Sequence, residues 1–195
     1  GKDDPQFHAI LEAATGRAWI DHQWGELSQI AAAPRGRLKL MGWEWFSLLL
    51  DDGTALLLYQ PRNQLTRRVE RPFAVAYGDF GWRKLSGAFT ARPVHIHRSP
   101  LTGHRYPTVW SIKVPELDLD LTLGALTEAG EVPVYGPMDC NWQTPAEVAG
   151  SRAGRPVSGE AWLELNGYGY PLTIPAQWRF WMRYLGQVRR AGKAS

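Results

Sequence analysis

The sequence predicts an all-β protein, a sandwich or an up-and-down barrel of short antiparallel strands. Three observations carry that expectation. Apolar residues alternate with period two along most of the chain, Gly, Pro, Asn and Asp mark turns about every ten residues, and no strand–helix–strand alternation appears. The 195 residues are enough for one good core. With 44 % apolar residues the composition is that of a globular chain, neither disordered nor fibrous.

The elements follow in order. Phe7, Ile10, Leu11 and Ala14 fall at helical spacing, and Gly16 ends that helix. Ala18 to Trp24 then reads as a strand. Trp43 to Leu50 and Ala55 to Tyr59 are two strong strands, and Asp52-Gly53 between them signals a hairpin. Phe73 to Tyr77, Leu85 to Phe89, Val94 to His97 and Thr108 to Val114 are shorter candidates. Leu117, Leu119, Leu121 and Leu123 alternate with polar residues as a half-buried strand does. Thr144 to Ser158, rich in Pro, Gly, Ala and Arg, reads as a surface loop, and Ala161 to Asn166 as the last strand. Residues 1–175 are therefore expected to form one β domain and residues 176–195 an amphipathic helix and tail. Trp178, Trp181, Met182, Leu185 and Val188 would pack that helix on the sheet and leave its arginines to water; a membrane surface is the alternative for such a basic helix.

Composition removes several function classes. The net charge of +3 is spread over scattered Lys and Arg, without the basic stripe of a nucleic-acid binder. Cys140 is the single cysteine, which excludes an intrachain disulfide framework and fits a reducing, cytoplasmic compartment. No apolar run reaches membrane-span length, and no glycine-rich phosphate loop appears, so neither a membrane span nor a cofactor is expected. His95 and His97 with His104 nearby invite a metal, yet no further ligand arrives at a familiar spacing; Val94 and Ile96 should take the core face and leave both histidines outside. The ten tryptophans either fill an aromatic core or line an apolar ligand pocket.

Four stretches, in this order, carry a resemblance: Ala18 to Gly25 (AWIDHQWG), Gly42 to Gly53 (GWEWFSLLLDDG), Tyr106 to Trp110 (YPTVW) and Gly159 to Tyr168 (GEAWLELNGY). Together they resemble the AttH/carotenoid-hydratase family of lipocalin-like proteins, which is related to polyketide Diels–Alderases. The resemblance implies a lipocalin-like antiparallel up-and-down barrel with short terminal helices. It also implies a long, apolar, unsaturated ligand that is cyclised, hydrated or isomerised in the barrel. Members carry two such domains and this chain is similar to the second, so an N-terminal lipocalin-like partner domain is expected. Where the family commonly has a carboxylate, this sequence has Gln143.

The candidate catalytic residues are His22, Glu44 and Asp51. His22 shares a strand face with Trp24, where an imidazole beside an indole could protonate an alkene; a buried histidine satisfied by the backbone is the alternative. Glu44 sits in an otherwise apolar row, as a proton donor or as half of an ion pair. Asp51 ends a strand and owes its role to the resemblance alone, whereas Asp52 is the turn residue. Trp24, Trp43, Trp45, Tyr59, Trp110, Trp142, Trp162, Glu164 and Tyr168 are the candidate ligand-binding residues. Glu164 faces the interior only if Leu163 and Leu165 face outward. The carrier alternative is a lipocalin-like protein that only holds its ligand, and charged groups pointing into the cavity are what separates the two.

Overall fold

The structure is a computed structural model that describes residues 41–63, 66, 68–87, 89–133 and 140–168, together with 178 and 182. The chain divides into units 1–30 and 31–195, and everything described lies in the second. The expected first helix, the strand from Ala18, His22 and Trp24 lie outside the described residues.

Ten strands run in chain order: β1 (Met41–Leu50), β2 (Ala55–Asn63), β3 (Phe73–Gly78), β4 (Gly81–Leu85), β5 (Thr90–Arg98), β6 (Arg105–Val114), β7 (Leu119–Ala125), β8 (Glu131–Pro133), β9 (Cys140–Arg152) and β10 (Arg155–Asn166). All pair antiparallel in one curled sheet of order β4-β3-β2-β1-β10-β9-β7-β6-β5, with β8 added beside β9. Every pairing but β1–β10 joins strands close in sequence, as in a lipocalin-like barrel. That barrel is open between β4 and β5, which are not paired with each other among the described residues.

Alternation sets the inner face. Phe46, Leu48 and Leu50 of β1, Leu56 and Leu58 of β2, Leu121 and Leu123 of β7, and Leu163 and Leu165 of β10 join a single buried cluster with Trp110, Tyr106 and Trp142. The β1–β2 hairpin closes as its Asp-Gly predicts: Gly53 has φ +84°, and the Thr54 amide donates to Asp52 Oδ1 at 2.9 Å.

Three sequence expectations are corrected. Thr144 to Ser158 is not a surface loop but part of the longest hairpin among the described residues, β9 turning into β10. Thr144, Ala146 and Val148 keep period two there, but with side chains too small to announce it. Gly150 is required by close approach, because a Cβ at that position would stand 2.1 Å from the Asp120 carbonyl oxygen. In β5 the expected alternation is lost: Val94 and Ile96 are exposed, 65 % and 43 %, His95 is exposed as expected, and His97 is half-buried against Trp142. Register shifts between Pro93 and Ile96 interrupt the alternation there, the usual effect of a β-bulge. The expected strand from Leu85 to Phe89 instead ends at Leu85 as β4. Of the expected C-terminal helix, Trp178 and Met182 are described; both are helical and both are exposed.

Candidate functional site

The inward row of β1 is apolar from Leu50 to Phe46 and then ends in a carboxylate. Glu44 is 1 % exposed. The neighbouring row of β2 changes in the same way, from Leu56 and Leu58 to Gln60 and Arg62, and the register sets Glu44 opposite Gln60. One end of the interior is therefore polar, and burial there demands partners. Arg62 Nη2 stands 2.6 Å from Glu44 Oε1, Gln60 Nε2 donates to Oε2 at 3.1 Å, and the Tyr168 hydroxyl donates to Oε1 at 2.5 Å. The Arg62 guanidinium also lies 4.3 Å from the centroid of the Tyr168 ring. Burial first, then the charge of Glu44, push the Tyr168 phenol well above the usual tyrosine range, with Arg62 opposing.

This cluster forms the floor of a cavity of about 530 Å3, within the size range of small-ligand sites. Trp110, Pro107, Ile96 and Ala91 supply apolar wall, while His104 and Arg105 bring further basic groups. Trp110 is held in place on two sides. Its Nε1 donates to the Pro107 carbonyl at 3.1 Å, and its ring meets Phe46 edge-on at 5.2 Å.

The remaining candidates divide. Trp110 and Tyr168 line the cavity with Glu44. Trp142 is fully buried in the core, stacked on Tyr106 at 4.8 Å, and is not part of the lining. Trp43, Trp45, Tyr59, Trp162 and Glu164 alternate with the inward residues and occupy the outer face of the sheet. Leu163 and Leu165 face inward, so Glu164 does not; it accepts from Trp43 Nε1 at 2.8 Å and from Gln143 Nε2 at 3.4 Å. Asp51 is exposed at the far end of β1, ~23 Å from Glu44 at about 3.3 Å per strand residue. It accepts the Ser158 hydroxyl at 2.6 Å and the Ser158 amide at 3.2 Å, which holds its carboxyl below the usual range. Among the described residues, no group of three or more His, Cys, Asp or Glu side chains is placed to hold a metal, and no helix is long and apolar enough to cross a membrane.

Arg62 and Gln60 are not among the site residues that the sequence suggests, and His104 enters there only beside His95 and His97. A signal existed for the first two: an apolar inward row on each of two paired strands turns polar at the same end. Pro61 between Gln60 and Arg62 masks that alternation.

The family model described as AttH-like matches residues 6–168. Among solved structures, a candidate AttH from Nitrosomonas europaea is 26 % identical with a TM-score of 0.56, over 65 % of this chain and 38 % of that one. Kievitone hydratase from Nectria haematococca is 18 % identical, also with a TM-score of 0.56, over 69 % of this chain and 41 % of that one. The match thus spans about two fifths of the length of either structure. No curated protein matches.

Proposed function

The chain belongs to the AttH-like family, and from that premise we propose that its barrel binds an unsaturated lipophilic small molecule and adds water across one of its double bonds. One observation supports the reading above others: a buried carboxylate, hydrogen-bonded to a tyrosine, forms the floor of a cavity whose walls are largely apolar. A carrier of greasy ligands gains nothing from a desolvated Glu–Arg pair, which is costly to bury. One structural neighbour is a hydratase, but at 18 % identity that likeness concerns the fold alone. The reading rests on the cavity.

In the proposed reaction the proton between Tyr168 and Glu44 passes to one alkene carbon. The other carbon becomes cationic beside the Trp110 ring and the carboxylate. Water adds there and its surplus proton returns to the Tyr168–Glu44 pair. The net change is alkene plus water to alcohol, and the site ends as it began. Cyclisation of a polyene needs none of these protons, only a cavity that folds the chain into a reactive conformer.

The test is incubation with conjugated and isoprenoid polyenes in isotope-labelled water. Hydration yields a product carrying the label, and Y168F and E44Q abolish it. A product isomeric with its substrate, formed equally by both variants, would replace hydration by shape-driven cyclisation. Binding without any product would leave a carrier.

A further inference from the structure

We infer that the ligand of this cavity is an unsaturated acid, with a carboxylate or comparable oxyanion at one end of its apolar body, rather than a neutral hydrocarbon. The inference rests on the reading that the cavity takes a lipophile and adds the chemistry of its head.

Charge counting around the lining is the first support. Glu44 is the one acidic side chain there, against the two arginines Arg62 and Arg105. Its carboxylate is already committed to Arg62, Gln60 and Tyr168. Arg105 therefore contributes an uncompensated positive charge, and no ion pair involves it among the described residues.

The second support lies in the strand register. Arg98 and Arg105 are directly paired across the β5–β6 hairpin. Like charges set opposite each other on adjacent strands destabilise a sheet. Arg98 turns its Nε onto the Gly103 carbonyl at 3.3 Å, which satisfies a donor but cancels no charge. An anion beside Arg105 at the cavity would offset the repulsion across this pair.

The third is an unfilled donor. Among the described residues, the buried Arg62 Nε has no hydrogen-bond partner. Buried guanidinium donors without acceptors are rare, and planar oxyanions are their best complement. Arg62 and Arg105 belong to the same lining as the apolar Trp110, Pro107 and Ile96, which would hold the body of such a ligand. A hydrocarbon would satisfy the wall and leave Arg105 without a counter-charge.

The experiment compares cis-parinaric acid with its methyl ester, using the full chain and following the fluorescence of the tetraene. The pair shares one polyene body and differs in the negative charge. The expected result is that the acid binds on the order of tenfold more tightly, that added salt narrows the gap, and that R105Q brings the acid down to the level of the ester. R105K, which keeps the charge, should keep much of the preference. Arg105 is exposed, so the fold of these variants is checked by an unchanged thermal midpoint. Equal affinity of acid and ester would overturn the inference and leave the lipophile cavity standing. An R105Q protein that still prefers the acid in full would overturn it too. Failure of both probes to bind would remove the cavity reading and this inference with it.

Discussion

Glu44 and Glu131 are two carboxylates, each holding the hydroxyl of a tyrosine, Tyr168 in one case and Tyr106 in the other, and the two rings lie 5.7 Å apart. Their surroundings differ in kind. Glu131 on β8 gathers hydroxyls only: Tyr106 at 2.7 Å, Thr102 at 2.5 Å and Ser99. Those residues belong to β6 and to the turn before it, so Glu131 ties that turn to β8. Glu44 gathers a cation and faces a cavity. A carboxylate satisfied by neutral donors serves as a fastening. One satisfied by a guanidinium beside open volume keeps charge where a ligand can meet it.

Removing one charge at a time should separate the two most sharply. E44Q leaves Arg62 buried without its counter-ion, and breaking such a pair costs about 3–5 kcal/mol. E131Q strands no opposite charge and should cost about 1–3 kcal/mol. Urea unfolding of both variants measures the difference, and equal losses would mean that Arg62 contributes nothing to the distinction. The tyrosines give a smaller effect. Y106F and Y168F each delete one hydrogen bond to a carboxylate, worth about 1.5–3 kcal/mol, yet on the proposed chemistry Y168F alone should stop turnover. A Y106F protein that is folded but inactive would merge the two clusters into one functional unit.

At alkaline pH both clusters should behave alike. Burial, followed by Glu131 for Tyr106 and Glu44 for Tyr168, raises both phenols above their ordinary value of 10.0. A raised folded pKa gives stability that is complete below pH 10 and is lost as pH rises beyond it. Ultraviolet titration should show these two phenols ionising late, with unfolding, and the phenylalanine variants should remove that late step. The smallest effect belongs to the opposite end of β1. Ser158 lowers Asp51; at Asp52 burial works upward, but Arg152 and Thr54 outweigh it. Depressed carboxyls contribute stability above their ordinary value of 3.8 and lose it as pH falls below. D51N and D52N should lower the thermal midpoint modestly near neutrality and flatten its further fall in that acid range.

Glu44 is legible in the sequence because a charge in an alternating apolar row has few explanations. The β1–β2 hairpin is legible for a similar reason, since Asp-Gly between two apolar runs has one common use. β9 is not, because Thr144, Ala146 and Val148 are weak markers and Pro145 and Gly150 look like breakers. Pro145 is tolerated at an exposed position, and Gly150 answers to a neighbouring strand that no local window contains. The bulge in β5 defeats periodicity outright, since a shifted register interrupts the alternation that the pattern assumes. Glu131 carries no local signal at all: its three partners lie 25 to 32 residues upstream, and only the folded sheet gathers them.

Among the described residues, the opening between β4 and β5 leaves each of these strands with one edge that no strand covers, and such edges invite another chain to add on and grow an aggregate. Both are blunted here. β5 carries Pro93, which has no amide hydrogen to offer, together with its bulge and the exposed Arg92 and Arg98. β4 is five residues long and sets Arg83 and Lys84 in water. The seam can therefore stay open without acting as a template for fibrils, and replacing Pro93 and the two β4 cations with β-branched residues would remove that protection.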